Sequence, residues 1–151
     1  MVSSLFIAVF LRMIAVCGQW LLEKERWMFH VDKRRGSKVI PVTDTTTFED
    51  MINMVYEDYG LDKRRICIEL SYMLSRKSLL KLTLDTPPVR IGNFRQLQGF
   101  FRHLKSDHVR LCVESLAHDL TNQWSRKAIL DEEYGDGQHL LSNYFVHTCN
   151  R

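Results

Sequence analysis

Residues 45–60, TTTFEDMINMVYEDYG, constrain the fold of this chain more than any other stretch. Phe48, Met51, Ile52, Val55, Tyr56 and Tyr59 recur at helical spacing and lay one apolar stripe, while Glu49, Asp50, Asn53, Glu57 and Asp58 fill the opposite side. Thr46 or Thr47 can cap the first amides, and Glu49 or Asp50 three residues on makes a capping box that also suits the positive end of the helix dipole. Gly60 is free to take the left-handed conformation that ends a helix. A stripe this wide needs an apolar surface to cover. The segments on either side alternate apolar and polar with period two, so that surface is a sheet.

The first strand is expected over 13–22, with Ile14, Val16 and Trp20 on one face and Gly18 at a bulge or close approach. The polar tetrapeptide 23–26 (EKER) turns the chain into a second strand in which Trp27, Phe29 and Val31 alternate with Met28 and His30, a hairpin with a loop of about four residues. A basic loop, 33–38, leads to a short extended piece at 39–43, which Pro41 assigns to an edge or a strand end. After the helix, 66–73 alternates as a half-buried strand, and Leu80, Leu82 and Leu84 suggest another, joined to it through a turn at Arg76, Lys77 and Ser78. Pro87 and Pro88 break the chain, and 89–91 is a brief extended segment. A second helix is expected from Phe94 to about Lys105, capped by Asn93 with Gln96 at the reciprocal position; Gly99 inside it costs about 1 kcal/mol relative to alanine and would mark close packing. The run 108–114 is the last strand.

The chain has 151 residues and is 45% hydrophobic, enough for one well-buried core and too little for two comfortable domains. The expected division is an apolar N-terminal extension at 1–12, one domain at 13–114, and an appendage at 115–151, partly ordered or disordered, where the pattern loosens. The apolar run 5–11 is too short to span a bilayer, which takes about 20 residues. No Lys or Arg precedes it and Arg12 interrupts it, so secretion by an atypical signal is the minor alternative to an intracellular, nuclear protein. Cys17, Cys67, Cys112 and Cys149 form no C-x-x-C pair and are expected to be reduced, structural thiols.

The order strand, strand, short strand, long helix, strand, strand, short helix, strand suits an α+β fold of β-grasp, ubiquitin-like kind: a mixed sheet wrapped on one main helix, with first and last strands side by side in the middle. The rival is a ferredoxin-like sandwich with two comparable helices. The segments VCGQW (16–20), RW (26–27), VD (31–32), YEDYGLD (56–62), LSYM (70–73), TPPV (86–89) with Ile91, and VRLCV (109–113) together resemble the N-terminal domain of plant Mutator-like element (MuDR-type) transposases and their host-encoded relatives. The likeness covers about 13–114. In that family the domain is similar to the Phox-and-Bem-type ubiquitin-like interaction module and precedes a DDE-type nuclease domain and a SWIM zinc finger. The resemblance therefore implies a stand-alone interaction or accessory domain and no enzyme. The family-type head-to-tail pairing sets a basic residue on the first strand against an acidic loop. Here the first strand has no lysine and the segment after the long helix is basic, which departs from that pattern.

The residues suggest no catalytic set, metal site or cofactor. His103, Asp107 and His108 invite a metal reading, with His147 and Cys149 as additions, but the first three straddle a helix end and a strand start and share no single face. The acidic residues of the long helix fit its wet side better than a two-metal nuclease. A formal charge of +3 is far from that of a basic arm, so any nucleic-acid contact must come from local clusters: Lys33, Arg34 and Arg35; Lys63, Arg64 and Arg65; Arg76 and Lys77. The expected partners are another protein or a second copy, docking by an exposed sheet face or by strand addition at 39–43. DNA bound through phosphates is the alternative; neither a membrane nor a small-molecule substrate is expected.

Overall fold

In the computed structural model, residues 9–83 and 85–117 are described. The elements are β1 (Phe10–Glu23), β2 (Arg26–Val31), β3 (Ser37–Thr43), α1 (Phe48–Tyr59), β4 (Ile66–Tyr72), α2 (Arg76–Leu79), β5 (Val89–Ile91), α3 (Phe94–Ser106) and β6 (Leu111–Ala117). They form an α+β fold in which a curled mixed sheet of six strands carries three helices. The strand order is β2-β1-β6-β4-β5, and β3 also pairs with β1. The long β1 changes partner along one side: residues 10–16 run antiparallel to β3, and residues 18–23 run antiparallel to β2. On its other side, residues 15–18 pair in parallel with β6, so first and last strands lie next to each other inside the sheet.

The helix anticipated at 45–60 runs over Phe48–Tyr59. Thr47 accepts from the Asp50 amide at 3.1 Å and Asp50 accepts from the Thr47 amide at 3.2 Å, which settles the choice between the two threonines. Gly60 ends it in the left-handed region at φ 62°. Met51 and Val55 are fully buried, and Ile52, Tyr56 and Tyr59 pack at the margin. The sheet face beneath is the odd-numbered side of β1: Met13, Ala15 and Cys17 join Ile40, Val42, Leu70, Leu111 and Val113 in one cluster with both long helices.

Several expectations need correction. α3 has 13 residues against 12 in α1, so the second helix is no shorter than the first. Its face of Leu97, Phe100 and Phe101 is buried as deeply as that of α1, which gives it an equal share of the core. Asn93 caps it by accepting from Gln96 N, but the Gln96 side chain accepts from Gly92 N, one residue before the cap. The loop between β1 and β2 is two residues, not about four: Lys24 and Glu25 both adopt positive φ, the twist that a tight hairpin demands. No strand forms at Leu80 and Leu82. Ser75 instead accepts from Ser78 N and starts the short α2, and both leucines are exposed; Leu84 lies outside the described residues. β4 already has β6 on one side and β5 on the other, so this segment has no ladder to join. β4 is also buried on both faces, Cys67 and Ser71 included, rather than on one. The last strand starts at Leu111 and continues to Ala117, past the expected boundary at 114, while β1 takes in Phe10 to Arg12 of the apolar start. Residues 1–8 and 118–151 lie outside the described residues.

Gly99 does not mark close packing, because a methyl group there would meet nothing within 4 Å. Gly99→Ala is therefore expected to stabilise the protein by about 1 kcal/mol through helix propensity and reduced freedom of the unfolded chain. A rise in the urea midpoint at constant m-value would show it.

Candidate docking and phosphate-contact surface

The tetrapeptide Asp-Lys-Arg-Arg occurs twice, at 32–35 and 62–65, and folds the same way both times. Asp32 Oδ1 accepts from Arg34 N at 2.9 Å, and Asp62 Oδ1 accepts from Arg64 N at 2.9 Å. The aspartate carbonyls then accept from Arg35 N at 3.2 Å and from Arg65 N at 3.0 Å. In each turn the last arginine sits with Nε 3.7 Å from its aspartate Oδ2. An aspartate that bonds its own backbone two residues on makes a compact turn, and here each turn throws two further cations outward. The repetition is visible in the sequence, and comparing the two basic stretches with each other would have revealed it.

The end of α1 holds both turns. Tyr59 Oη donates to Ala15 O at 2.9 Å and to Gly36 O at 3.3 Å, tying the helix to β1 and the first turn. Tyr56 Oη donates to Ile66 O at 2.7 Å, just after the second turn. Burial pushes the hydroxyls of both tyrosines up, so they remain protonated donors. Lys63 bonds the Asn53 side chain and lies over the Tyr56 ring, with Nζ 5.5 Å from its centroid, and Lys38 lies 5.8 Å from the Tyr59 centroid. Six of the eight expected cations thus gather around the C-terminal, negative end of a helix dipole whose own last turn carries no basic residue. Arg76 and Lys77 do not join them. They follow the far end of β4, about 20 Å away at the usual strand rise.

The six are not equally available. Lys33, Arg34, Arg64 and Arg65 are exposed, and Arg65 is 86% open to solvent. Arg35 turns inward, where its Nη1 donates to Ser115 Oγ at 2.9 Å. It lines a cleft of about 360 Å³ with Cys17, Gly18, Gln19, His30, Val31, Asp32 and Ser115. The Cys17 thiol beside it is almost fully buried, and burial raises its pKa more than the Arg35 guanidinium lowers it. That is the reverse of what a thiolate nucleophile needs. Burial likewise pushes the Cys112 thiol up to about 12. His103 stacks near Tyr72, with centroids 5.6 Å apart, and among the described residues no group of three or more His, Cys, Asp or Glu side chains is placed to hold a metal ion. His147 and Cys149 lie outside the described residues.

Comparison adds no relative. No family model, curated protein or solved structure matches the chain.

The expectation of four reduced thiols fails at Cys67, which is disulfide-bonded, whereas Cys17 and Cys112 are free. No helix among the described residues is long and apolar enough to cross a membrane.

Proposed function

We propose that the chain is a non-catalytic protein–protein interaction module of β-grasp, ubiquitin-like type, related to the N-terminal domain of Mutator-like element transposases and acting without nuclease or zinc-finger parts inside the cell. Support for the β-grasp reading comes from the parallel β1–β6 pair inside the sheet and from the two long helices that share one core with the same sheet face. The observation that carries the interaction reading is β3. It pairs with β1 alone, leaving its outer edge without a strand partner among the described residues, and Val39 on it is 63% exposed. An incoming extended segment, from a partner or a second copy, gains backbone hydrogen bonds along such an edge. Pro41 withholds one donor, which shortens the usable edge and guards against indiscriminate pairing. Size-exclusion chromatography across protein concentration and salt tests this: association that persists in high salt supports strand addition, and a monomer at every concentration, with no protein captured, counts against it.

The alternative is a DNA-binding accessory domain, and the paired basic turns favour it. Replacing Lys63, Arg64 and Arg65 together with serine is expected to weaken retention on DNA. It should also flatten the log–log salt dependence by about 0.9 for each phosphate that is no longer neutralised. Retention that is unchanged would remove this turn from the DNA-facing surface.

A further inference from the structure

The outer edge of β3 has a direction and a different charge at each end. Thr43 shows which way its groups point: the N–H donates to Thr46 Oγ1 at 3.0 Å and the carbonyl accepts from Thr46 N at 3.1 Å, so both turn away from β1. Backbone groups alternate sides along a strand, and β3 keeps an unbroken register with β1, so Ser37 and Val39 also turn their N–H and C=O outward. Pro41 belongs to the same set and offers a carbonyl alone. The Val39 side chain projects beside Ile14, which is 50% exposed. Lys33 and Arg34 precede the strand and Asp44 follows it, all three exposed. The edge is thus positive where it starts and negative where it stops.

We propose that the segment pairing with this edge is β3 of a second copy of the chain, antiparallel to the first about a two-fold axis at Val39. The inference rests on the strand-addition reading and names the partner. In this register, residues at equal distance from Val39 face one another. The two Val39 residues exchange both backbone hydrogen bonds, and each Ser37 N–H meets the Pro41 carbonyl of the other copy, so the donor that proline lacks is not called on there. Beyond the strands Arg34 falls opposite Asp44, since each stands five residues from the axis, and symmetry makes the contact twice. On the outer face Ile14 and Val39 of both copies join in one apolar strip. Moving the axis by one residue loses these matches. At Lys38 it sets the two Lys38 side chains directly opposite and Asp32 against Asp44, and like charges in facing positions oppose pairing. At Ile40 it turns the Val39 carbonyl toward the missing donor of Pro41, and Ser37 toward Thr43, whose backbone groups Thr46 already holds. A parallel pairing would bring Lys33 and Arg34 against their own copies. Because each copy uses its β3 edge, the two-fold contact closes and association stops at the dimer.

Sedimentation equilibrium on the full chain is the test. The parent is expected to show a reversible monomer–dimer equilibrium and nothing larger. Arg34→Asp and Asp44→Arg should each weaken the dimer about tenfold, because each sets like charges opposite at both ends of the contact, and the double variant should return to within about threefold of the parent. The turn at Asp32 uses the Arg34 backbone amide and not its side chain, and Arg34 and Asp44 are both exposed, so all three variants keep the fold. Val39→Lys, at a position 63% exposed, should abolish the dimer by placing two ammonium groups at the axis. Single variants that leave the dimer intact, or a double variant that fails to restore it, overturn the two-fold at Val39. A parent that stays monomeric to about 1 mM overturns self-pairing and leaves strand addition by another protein standing. A dimer unaffected by Val39→Lys would put the contact elsewhere on the chain and overturn this proposal together with the strand-addition reading.

Discussion

Phe100→Ala is expected to lower the free energy of unfolding by about 3–5 kcal/mol. Phe100 is fully buried on α3, its ring centroid 5.0 Å from that of Tyr72 on β4 and 6.1 Å from that of Phe101. Truncation removes the transfer free energy of a whole ring and leaves a void that neighbours on a helix and a central strand fill only in part. Small domains are stable by roughly 5–15 kcal/mol in total, so the loss is a large share of what holds the fold together. Phe94 on the same helix is 43% exposed, and Phe94→Ala should stay within about 0.5 kcal/mol of the parent. Urea titrations of the two variants side by side check the contrast; equal effects would mean that α3 does not face the sheet.

Gly18→Ala is the second large effect. A Cβ built on Gly18 falls 2.0 Å from the carbonyl oxygen of His30 and 3.0 Å from the Phe29 ring, on the neighbouring strand. Backbone on the facing side has no rotamer to change, so β1 and β2 must separate there. That disturbs the edge-to-face contact of Trp20 and Phe29, whose centroids lie 5.0 Å apart. The expected cost is about 3 kcal/mol, the upper part of the range for overpacking. Gly36 makes the comparison sharp: nothing lies within 4 Å of a Cβ there, and its φ of +65° leaves backbone strain of about 1–2 kcal/mol as the cost of substitution. If Gly18→Ala melts with the parent, β1 and β2 approach each other less closely than that steric clash requires.

The parts of the fold legible in the sequence are those that local chemistry decides. The stripe of α1, the Thr47–Asp50 box and the Gly60 stop are contained within one short stretch, and each residue acts on neighbours a turn away. The edge position of β3 follows from Pro41 alone, and the close approach at Gly18 from the absence of a side chain. The misreadings come from partners that lie far off in sequence. Leu80 and Leu82 alternate with Lys81 as a strand would, but β5 already occupies the only side of β4 that β6 leaves open. Ser71 and Cys67 read as outward positions by parity, and the Trp20 indole reaching Ser71 across the sheet is beyond any period-two pattern. At the basic surface, each cluster was identifiable from its residues. That two of them are the same turn at one end of α1, and that Arg35 bends inward to Ser115, depends on tyrosine tethers set by the helix rotation.

The parallel pairing of β1 with β6 also dictates a timetable. The two strands lie about a hundred residues apart in the chain, and a ribosome adding about 5–20 residues per second needs some seconds to deliver the second after the first. Through that interval β1 can pair with β2 and β3, but Ala15 to Gly18 lack their partner strand, and the α3 and β6 side chains that complete the core over β1 and β3 are still to come. The middle of the sheet is thus closed last, by the strand made about a hundred residues after its partner.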